Sequence, residues 1–266
     1  MKKKKFGAPL AIAVILIYLL IPLVVSIIYS LFSNWTGVVP KGFTVENYVE
    51  LFTNRNFLLS LGRTLILCIF PIIITIVLVL LALFVATIFF PKLEKYIQLI
   101  CMIPYTIQGV ILSVSILSLY INNPTFLNNR LVMLFGAYCI IILPYIYQGI
   151  RNGMRAVNMP MLLEAAEMLG ASKIYAFFKV IVPNIMSAII VSSLLAVGII
   201  FGDYVLVRNL AGSSFPNVQI FLYQTMKSDS MKASAVFVVI MAMTFAIAAI
   251  VLFLKSREGH EKSKRK

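Results

Sequence analysis

The stretch EAAEMLGASKIYAFFKVIVP, residues 164–183, is a polar interruption in a chain that is otherwise mostly lipid-soluble. Its reading decides the fold. Just ahead of it, Asn158 can cap a helix that accepts Pro160 in its first turn, and Glu164 and Glu167 follow. Gly170 suits the position after the helix, where a left-handed backbone ends it. Leu162, Ala165, Ala166 and Leu169 recur at i, i+3, i+4 and i+7, which predicts one apolar face of small residues with Glu164, Glu167 and Met168 pointing elsewhere. Ser172 can cap a second helix, KIYAFFKVI, which meets Pro183 as the chain turns back into the bilayer. The segment 151–184 is longer than a helical connection needs, so it carries structure of its own: a short helix, a glycine corner and a re-entry helix.

The surroundings of this segment are apolar throughout. Hydrophobic residues make up 61% of the 266 and the mean hydropathy is +1.00, well above the roughly 45 to 50% apolar content of soluble domains. Runs long enough for about 30 Å of hydrocarbon lie at residues 10–31, 58–90, 99–119, 131–150, 185–201 and 233–254. The chain therefore reads as an all-α integral membrane protein with six transmembrane helices, spanning residues 10–254 between a basic N-terminus, residues 1–9, and a basic tail, residues 255–266. The second run is too long for one upright helix and predicts a tilted span, kinked near Pro71 and projecting beyond the bilayer. The first run exceeds a signal-peptide core and no small-x-small cleavage site follows it, so it reads as a retained anchor.

Charge supports an orientation. Lys2 to Lys5, Lys92, Lys95, Arg151, Arg155, Lys173, Lys179 and the tail hold most of the 23 basic residues, and six spans place all of these on the side of the termini. Lys41, Arg55, Arg63, Arg130, Arg208, Lys227 and Lys232 are left for the other side. The positive-inside rule puts both termini in the cytoplasm, and the basic excess becomes an orientation signal with no need for nucleic acid as a partner.

Catalytic constellations are missing. There is no phosphate-binding G-x-x-x-x-G-K-[ST] loop and no Gly-Lys pair, so ATP and Mg would have to be bound by another subunit. His260, the only histidine, lies in the polar tail, and no Cys or carboxylate cluster has metal-ligand spacing. Cys68, Cys101 and Cys139 all sit inside apolar runs as small hydrophobes. The chain reads as no enzyme and holds no cofactor of its own.

Docking gives the polar interruption a use. Alanines at 165 and 166 let a helix backbone seat closely in another protein's groove, and an acid at its edge can pair with the rim. A helix lying on the membrane surface is the competing reading, but such helices usually carry Lys or Arg on the polar face, and this one starts with two glutamates. The spacing Glu164-Ala165-Ala166, three residues, Gly170, nine residues, Val180-Ile181-Val182-Pro183 resembles the EAA motif (E-A-A-x3-G-x9-I-x-L-P) of the membrane subunits of bacterial ABC importers, together with an upstream Tyr147, Arg151 and Pro160 pattern. Val180 and Val182 depart from it conservatively.

The resemblance implies a type I importer permease fold in a bacterial cell membrane, with an extra first span packed around a five-helix core. It implies cytoplasmic ATPase subunits, a second permease chain and an extracellular solute-binding protein as partners. It also makes Glu164, Ala165, Ala166 and Gly170, with Leu162 and Leu169, the residues of a coupling helix.

Asp203 is the one carboxylate inside an apolar stretch, so with Tyr204 beside it it becomes a candidate of the solute pathway. A structural ion pair with Arg208 is the alternative, and both remain open. Gly198 and Gly202 form a small-xxx-small pair that permits close helix approach. Residues 218–226 are amphipathic and too short to span, so they lie in the outer interface or dip inward. FGDYVL, a Gly-Ser turn and VQIFLYQ look most like the polyamine, 2-aminoethylphosphonate and ferric-ion branch of these permeases, with a cationic polyamine as the first expectation. A secondary transporter and a membrane scaffold are the competing classes; the first should show several intramembrane ionisable groups, where this chain has essentially Asp203.

Overall fold

The computed structural model describes residues 7–34, 41–122, 128–212 and 214–264. The expected N-terminal basic cluster, Lys2 to Lys5, lies outside the described residues, as do Arg265 and Lys266 of the tail. The chain divides into two compact units, residues 1–59 with 221–243, and residues 60–220 with 244–266. In chain order the elements are α1 (Gly7–Ser30), β1 (Phe32–Asn34), β2 (Lys41–Phe43), α2 (Glu46–Thr53), α3 (Arg55–Ile88), α4 (Glu94–Met102), α5 (Gly109–Tyr120), α6 (Arg130–Ala156), α7 (Met159–Met168), α8 (Lys173–Ala176), α9 (Val182–Gly202), α10 (Val218–Ser228) and α11 (Ser230–Lys264).

Side chains start most of the long helices. Asn54 accepts from the amides of Asn56 and Phe57 to open α3, Asn129 from Leu131 to open α6, and Asp229 from Met231 and Lys232 to open α11. Each supplies an acceptor to otherwise orphaned N–H groups. In the first unit, β1 and β2 form a small antiparallel hairpin that pairs Phe32 with Phe43. Ser30 and Tyr48 share a hydroxyl–hydroxyl bond of 2.5 Å that ties α1 to α2, and Lys232 pairs with Glu50 at 2.5 Å. The apolar window of α1 is not buried within the chain.

Among the described residues, five helical stretches are long and apolar enough to cross a membrane: residues 12–30, 55–88, 130–156, 173–202 and 230–253. A sixth crossing exists only as a broken one. Residues 99–119 were expected to form a single span, whereas α4 ends at Met102, a 3-10 turn covers Ile103–Thr106, and α5 leaves at an angle of 103°. Pro104 lacks the donor a continuing helix needs, and Ile107 and Gln108 are extended ahead of Gly109. Hydropathy averaged over a span does not show this break, because Thr106 and Gln108 are flanked by long apolar runs on both sides. Helix α3 runs 34 residues unbroken through Pro71, about 51 Å at 1.5 Å per residue, against about 30 Å of hydrocarbon. Helix α11 continues to Lys264, so the basic segment from residue 255 is helical that far.

The core of the second unit is the crossing of α6 on α9. Leu134, Tyr138, Ile142, Ile146 and Ile150 are fully buried along one face of α6. Backbones meet where side chains vanish: a Cβ on Gly149 would lie 2.3 Å from that of Ser192, and one on Gly153 would lie 2.6 Å from that of Ala188. Gly149/Gly153 and Ala188/Ser192 are both i, i+4 pairs, the small-xxx-small geometry. The pair expected to do this, Gly198 and Gly202, does not: a Cβ at either would meet nothing within 4 Å. Spacing alone says that a close approach is permitted and leaves out whether a partner helix lies opposite.

Candidate functional site

The polar interruption folds as a helix, a corner and a re-entry helix. It begins differently from expectation at Asn158, whose backbone is left-handed (φ 49) and whose side chain makes no capping bond to α7. Pro160 then sits in the first turn, where no N–H is needed. The end is a Schellman motif. The Gly170 amide donates to Glu167 O at 2.9 Å and the Ala171 amide to Ala166 O at 3.0 Å, with Gly170 at φ +80. Across the corner Lys173 Nζ lies 3.6 Å from Glu167 Oε1, and Ser172 Oγ caps α8 by accepting from Tyr175 N at 3.3 Å.

From Lys173 the helix reaches Gly202 without a break at Pro183, through a π-helical turn at Phe177–Ile181. The wide turn accommodates the missing donor of Pro183, and the Asn184 amide nitrogen donates to Val180 O at 2.8 Å. Phe177 and Phe178 clasp Phe84 of α3, with ring centroids 5.0 and 5.8 Å away.

The buried face of α7 is shifted by one turn from the expected one. Met159 and Ala166 are buried and Leu162 and Leu163 half-buried, again at i, i+3, i+4 and i+7. Ala165 is exposed, Leu169 is 89% exposed and Met168 90%. Of the six proposed coupling residues, Glu164, Ala165, Leu169 and Gly170 therefore lie on the outward surface, while Ala166 and Leu162 hold α7 to the chain.

A groove of about 440 Å³ runs beneath α7 and gathers Glu164, Glu94, Arg151 and Arg155. Arg151 Nε donates to Glu94 Oε1 at 2.8 Å, and Arg155 Nη2 stands 4.0 Å from the same oxygen. Tyr147, one residue of the upstream pattern, is fully buried. Sequence reasoning missed Glu94. Its signal was an acid between Lys92 and Lys95 at the start of a span.

Asp203 is committed to the protein. Its Oδ2 accepts the Tyr138 hydroxyl at 2.9 Å and the Leu206 amide at 3.1 Å, and the Asn217 amide nitrogen donates to its carbonyl at 3.0 Å. The Tyr138 bond and the cap on the turn after α9 stand where an ion pair with Arg208 was one of the two open readings, and among the described residues Arg208 is not one of its partners. Tyr204 is half-buried. Alongside, Gln219 donates to Phe201 O at 2.7 Å and Val218 N to Thr64 Oγ1 at 3.0 Å. The start of the short amphipathic segment thus dips inward, with Val218 and Ile220 buried.

A second groove, about 560 Å³, lies between α6 and α9 and does not include Asp203 or Tyr204. Tyr145, Gln148 and Asn152 of α6 and Asn184 and Ser187 of α9 line it. These residues were not singled out from sequence, although polar groups at i, i+3 and i+7 in an apolar span were a visible signal.

Residues 79–257 match the family described as binding-protein-dependent transport system inner membrane component. The putative 2-aminoethylphosphonate transport system permease protein of Salmonella paratyphi A is 22% identical over 205 residues, 76% of each chain. The spermidine/putrescine transport system permease protein of Escherichia coli K12 is 21% identical over 248 residues, 91% of this chain and 92% of its own.

Proposed function

The chain belongs to the family of binding-protein-dependent transport system inner membrane components, and from that premise we propose that it is driven through α7 by a separate ATPase and carries a small polar solute of the polyamine type. It is a permease of an ABC importer and not an enzyme. In the proposed assembly cytoplasmic ATPase subunits bind ATP and Mg, a second permease chain completes the pathway, and an extracellular binding protein delivers the solute. Both termini and α7 lie on the cytoplasmic side. Spermidine or putrescine is the first choice of solute; 2-aminoethylphosphonate and ferric ion follow.

One observation carries the coupling reading. The helix α7 is fastened from below by Met159 and Ala166 and locked at its end by the Gly170 corner, yet Ala165 and Leu169 face outward and Glu164 is exposed at the edge of the groove that holds Arg151 and Arg155. A rigid, exposed ridge carrying Ala165, Met168 and Leu169 with an acid at its edge is what a groove in another protein can grip. Its motion is then passed into Lys173–Gly202, which follows the corner after two residues. Rocking of two permease chains under ATPase closure gives alternating access.

Extraction in mild detergent tests the assembly. An ATPase and a second permease are expected to co-purify with the chain. Transport into liposomes by the isolated chain without ATP would replace this reading with a secondary transporter.

A further inference from the structure

The groove between α6 and α9 has a definite chemistry. Tyr145, Gln148 and Asn152 present a polar face at i, i+3 and i+7, with Asn184 opposite on α9. Tyr105, from the 3-10 turn that breaks the third crossing, meets Tyr145 edge to face with ring centroids 5.0 Å apart. No Asp, Glu, Lys or Arg lines the groove. Polar side chains on membrane helices are placed toward protein or a water-filled cavity, because lipid offers them no partner.

Two of the three carboxamides, Gln148 and Asn184, are already oriented. The Gln148 amide nitrogen donates to Met102 Sδ at 3.3 Å and the Asn184 amide nitrogen to Val180 O at 2.8 Å. Each side chain lines the groove and still carries a carbonyl oxygen that can accept. Ser192, on the floor, donates its hydroxyl to Ala188 O and Ile189 O at 3.0 and 2.9 Å, which leaves its oxygen an acceptor as well. Acceptors and tyrosine faces suit N–H donors and ammonium groups. A phosphonate or carboxylate would find no cationic side chain here.

Resting on the permease reading, we infer that this groove is a passage subsite for an alkylamine without an acidic group, held by neutral acceptors and tyrosine faces and by no carboxylate. Of the solutes named for the two relatives, spermidine and putrescine fit this chemistry and 2-aminoethylphosphonate does not. Neutral acceptors also suit passage, because binding at several weak points lets the solute leave again, where a desolvated carboxylate would hold a cation.

The test uses the whole importer in proteoliposomes: this chain with its ATPase, second permease and binding protein. ATP-driven uptake of radiolabelled spermidine and, separately, of 2-aminoethylphosphonate is measured. Gln148→Lys, a cation among acceptors, is expected to cut spermidine uptake per ATP hydrolysed by about tenfold or more, and Gln148→Leu by about threefold. Asn152→Cys is a small change at an exposed position and is read by alkylation with N-ethylmaleimide against the unmutated chain. Spermidine is expected to slow that alkylation, and 2-aminoethylphosphonate to leave it unchanged.

Unchanged spermidine uptake in Gln148→Lys, or alkylation indifferent to spermidine, overturns the subsite. An oxidant-induced disulfide, formed with an added copper–phenanthroline catalyst and air, between Asn152→Cys and a cysteine introduced in the second permease also overturns it, by making the groove a contact between chains. Protection by 2-aminoethylphosphonate instead of spermidine overturns the amine class. Failure of the permease reading has a different signature, the absence of a co-purifying ATPase, and protection at Asn152→Cys is still readable on the chain alone.

Discussion

The helical course from Lys173 to Gly202 ends in two contrasting ways. Toward α7 it meets a corner, Gly170, around which a Cβ would touch nothing within 4 Å, next to a surface of exposed Leu169 and Met168. At the other end it meets Asp203, whose carboxylate and carbonyl are engaged by Tyr138, Leu206 and Asn217, with Gln219 bonded to Phe201 beside it. One end is stiff but free on its outer side, and the other is fastened in several directions. A lever needs both: a handle that moves as a body and a pivot that does not. On the proposed function, ATPase motion enters at the first end, and Asp203 belongs to the second end as a strut.

The largest effect is therefore expected at the corner. Gly170→Val places a β-branched residue at φ +80, where a left-handed backbone costs an L-residue about 1–2 kcal/mol. No neighbour is displaced, so the change acts on the aim of α7 alone. Uptake in intact cells is expected to fall at least about tenfold, with abundance held within about twofold, and Glu164→Lys is expected to do the same by reversing a charge on the outward ridge. Wild-type uptake in Gly170→Val would remove the contrast between the ends and, with it, the coupling role of α7.

The two ends also differed in how far they could be read from sequence. Everything that makes the corner is local: Gly170 after an alanine helix, Ser172 as a cap, Pro160 in a first turn. Local capping chemistry acts over a few residues, so it is written in consecutive letters. The buried face of α7 was displaced by one turn because Met159 belonged to the helix, and periodicity with two alanines fits either choice. At the other end, the partner that defines Asp203 is Tyr138, 65 residues away, and nothing in the sequence couples those positions. Arg208 was nearer in sequence and had the obvious charge. The crossing of Gly149 and Gly153 on Ala188 and Ser192 was lost for the same reason, since it depends on which helix lies opposite. The break at Pro104 was hidden in hydropathy that stays high on both sides of it.

Asp203 gives the next largest effect, and its two substitutions separate a strut from a pathway group. Asp203→Ala removes the acceptor of a hydroxyl on a fully buried tyrosine and also the cap at Leu206, which costs about 1–3 kcal/mol. Asp203→Asn keeps an acceptor oxygen and is expected to cost about 1 kcal/mol or less. Thermal unfolding in detergent should rank them in that order, with uptake per folded complex near wild type in Asp203→Asn. A pathway acid predicts the reverse, stable protein and impaired uptake in both. Arg208→Gln should alter neither mutant, because Asp203 does not pair with it.

The smallest effect is expected at Gly198. Both Gly198 and Gly202 lie in α9 with open space around the missing Cβ, so alanine meets no wall. Within a helix interior alanine is favoured over glycine by up to about 1 kcal/mol, and Gly198→Ala should leave the unfolding midpoint unchanged or slightly raised. Gly153→Ala is the control that must hurt, since its Cβ would stand 2.6 Å from that of Ala188. The informative departure is a Gly198→Ala chain that folds normally alone yet no longer retains the second permease on purification. That result would mean the small-residue pair packs between chains, and it would turn the fastened end of α9 from a strut within one chain into part of the contact between two.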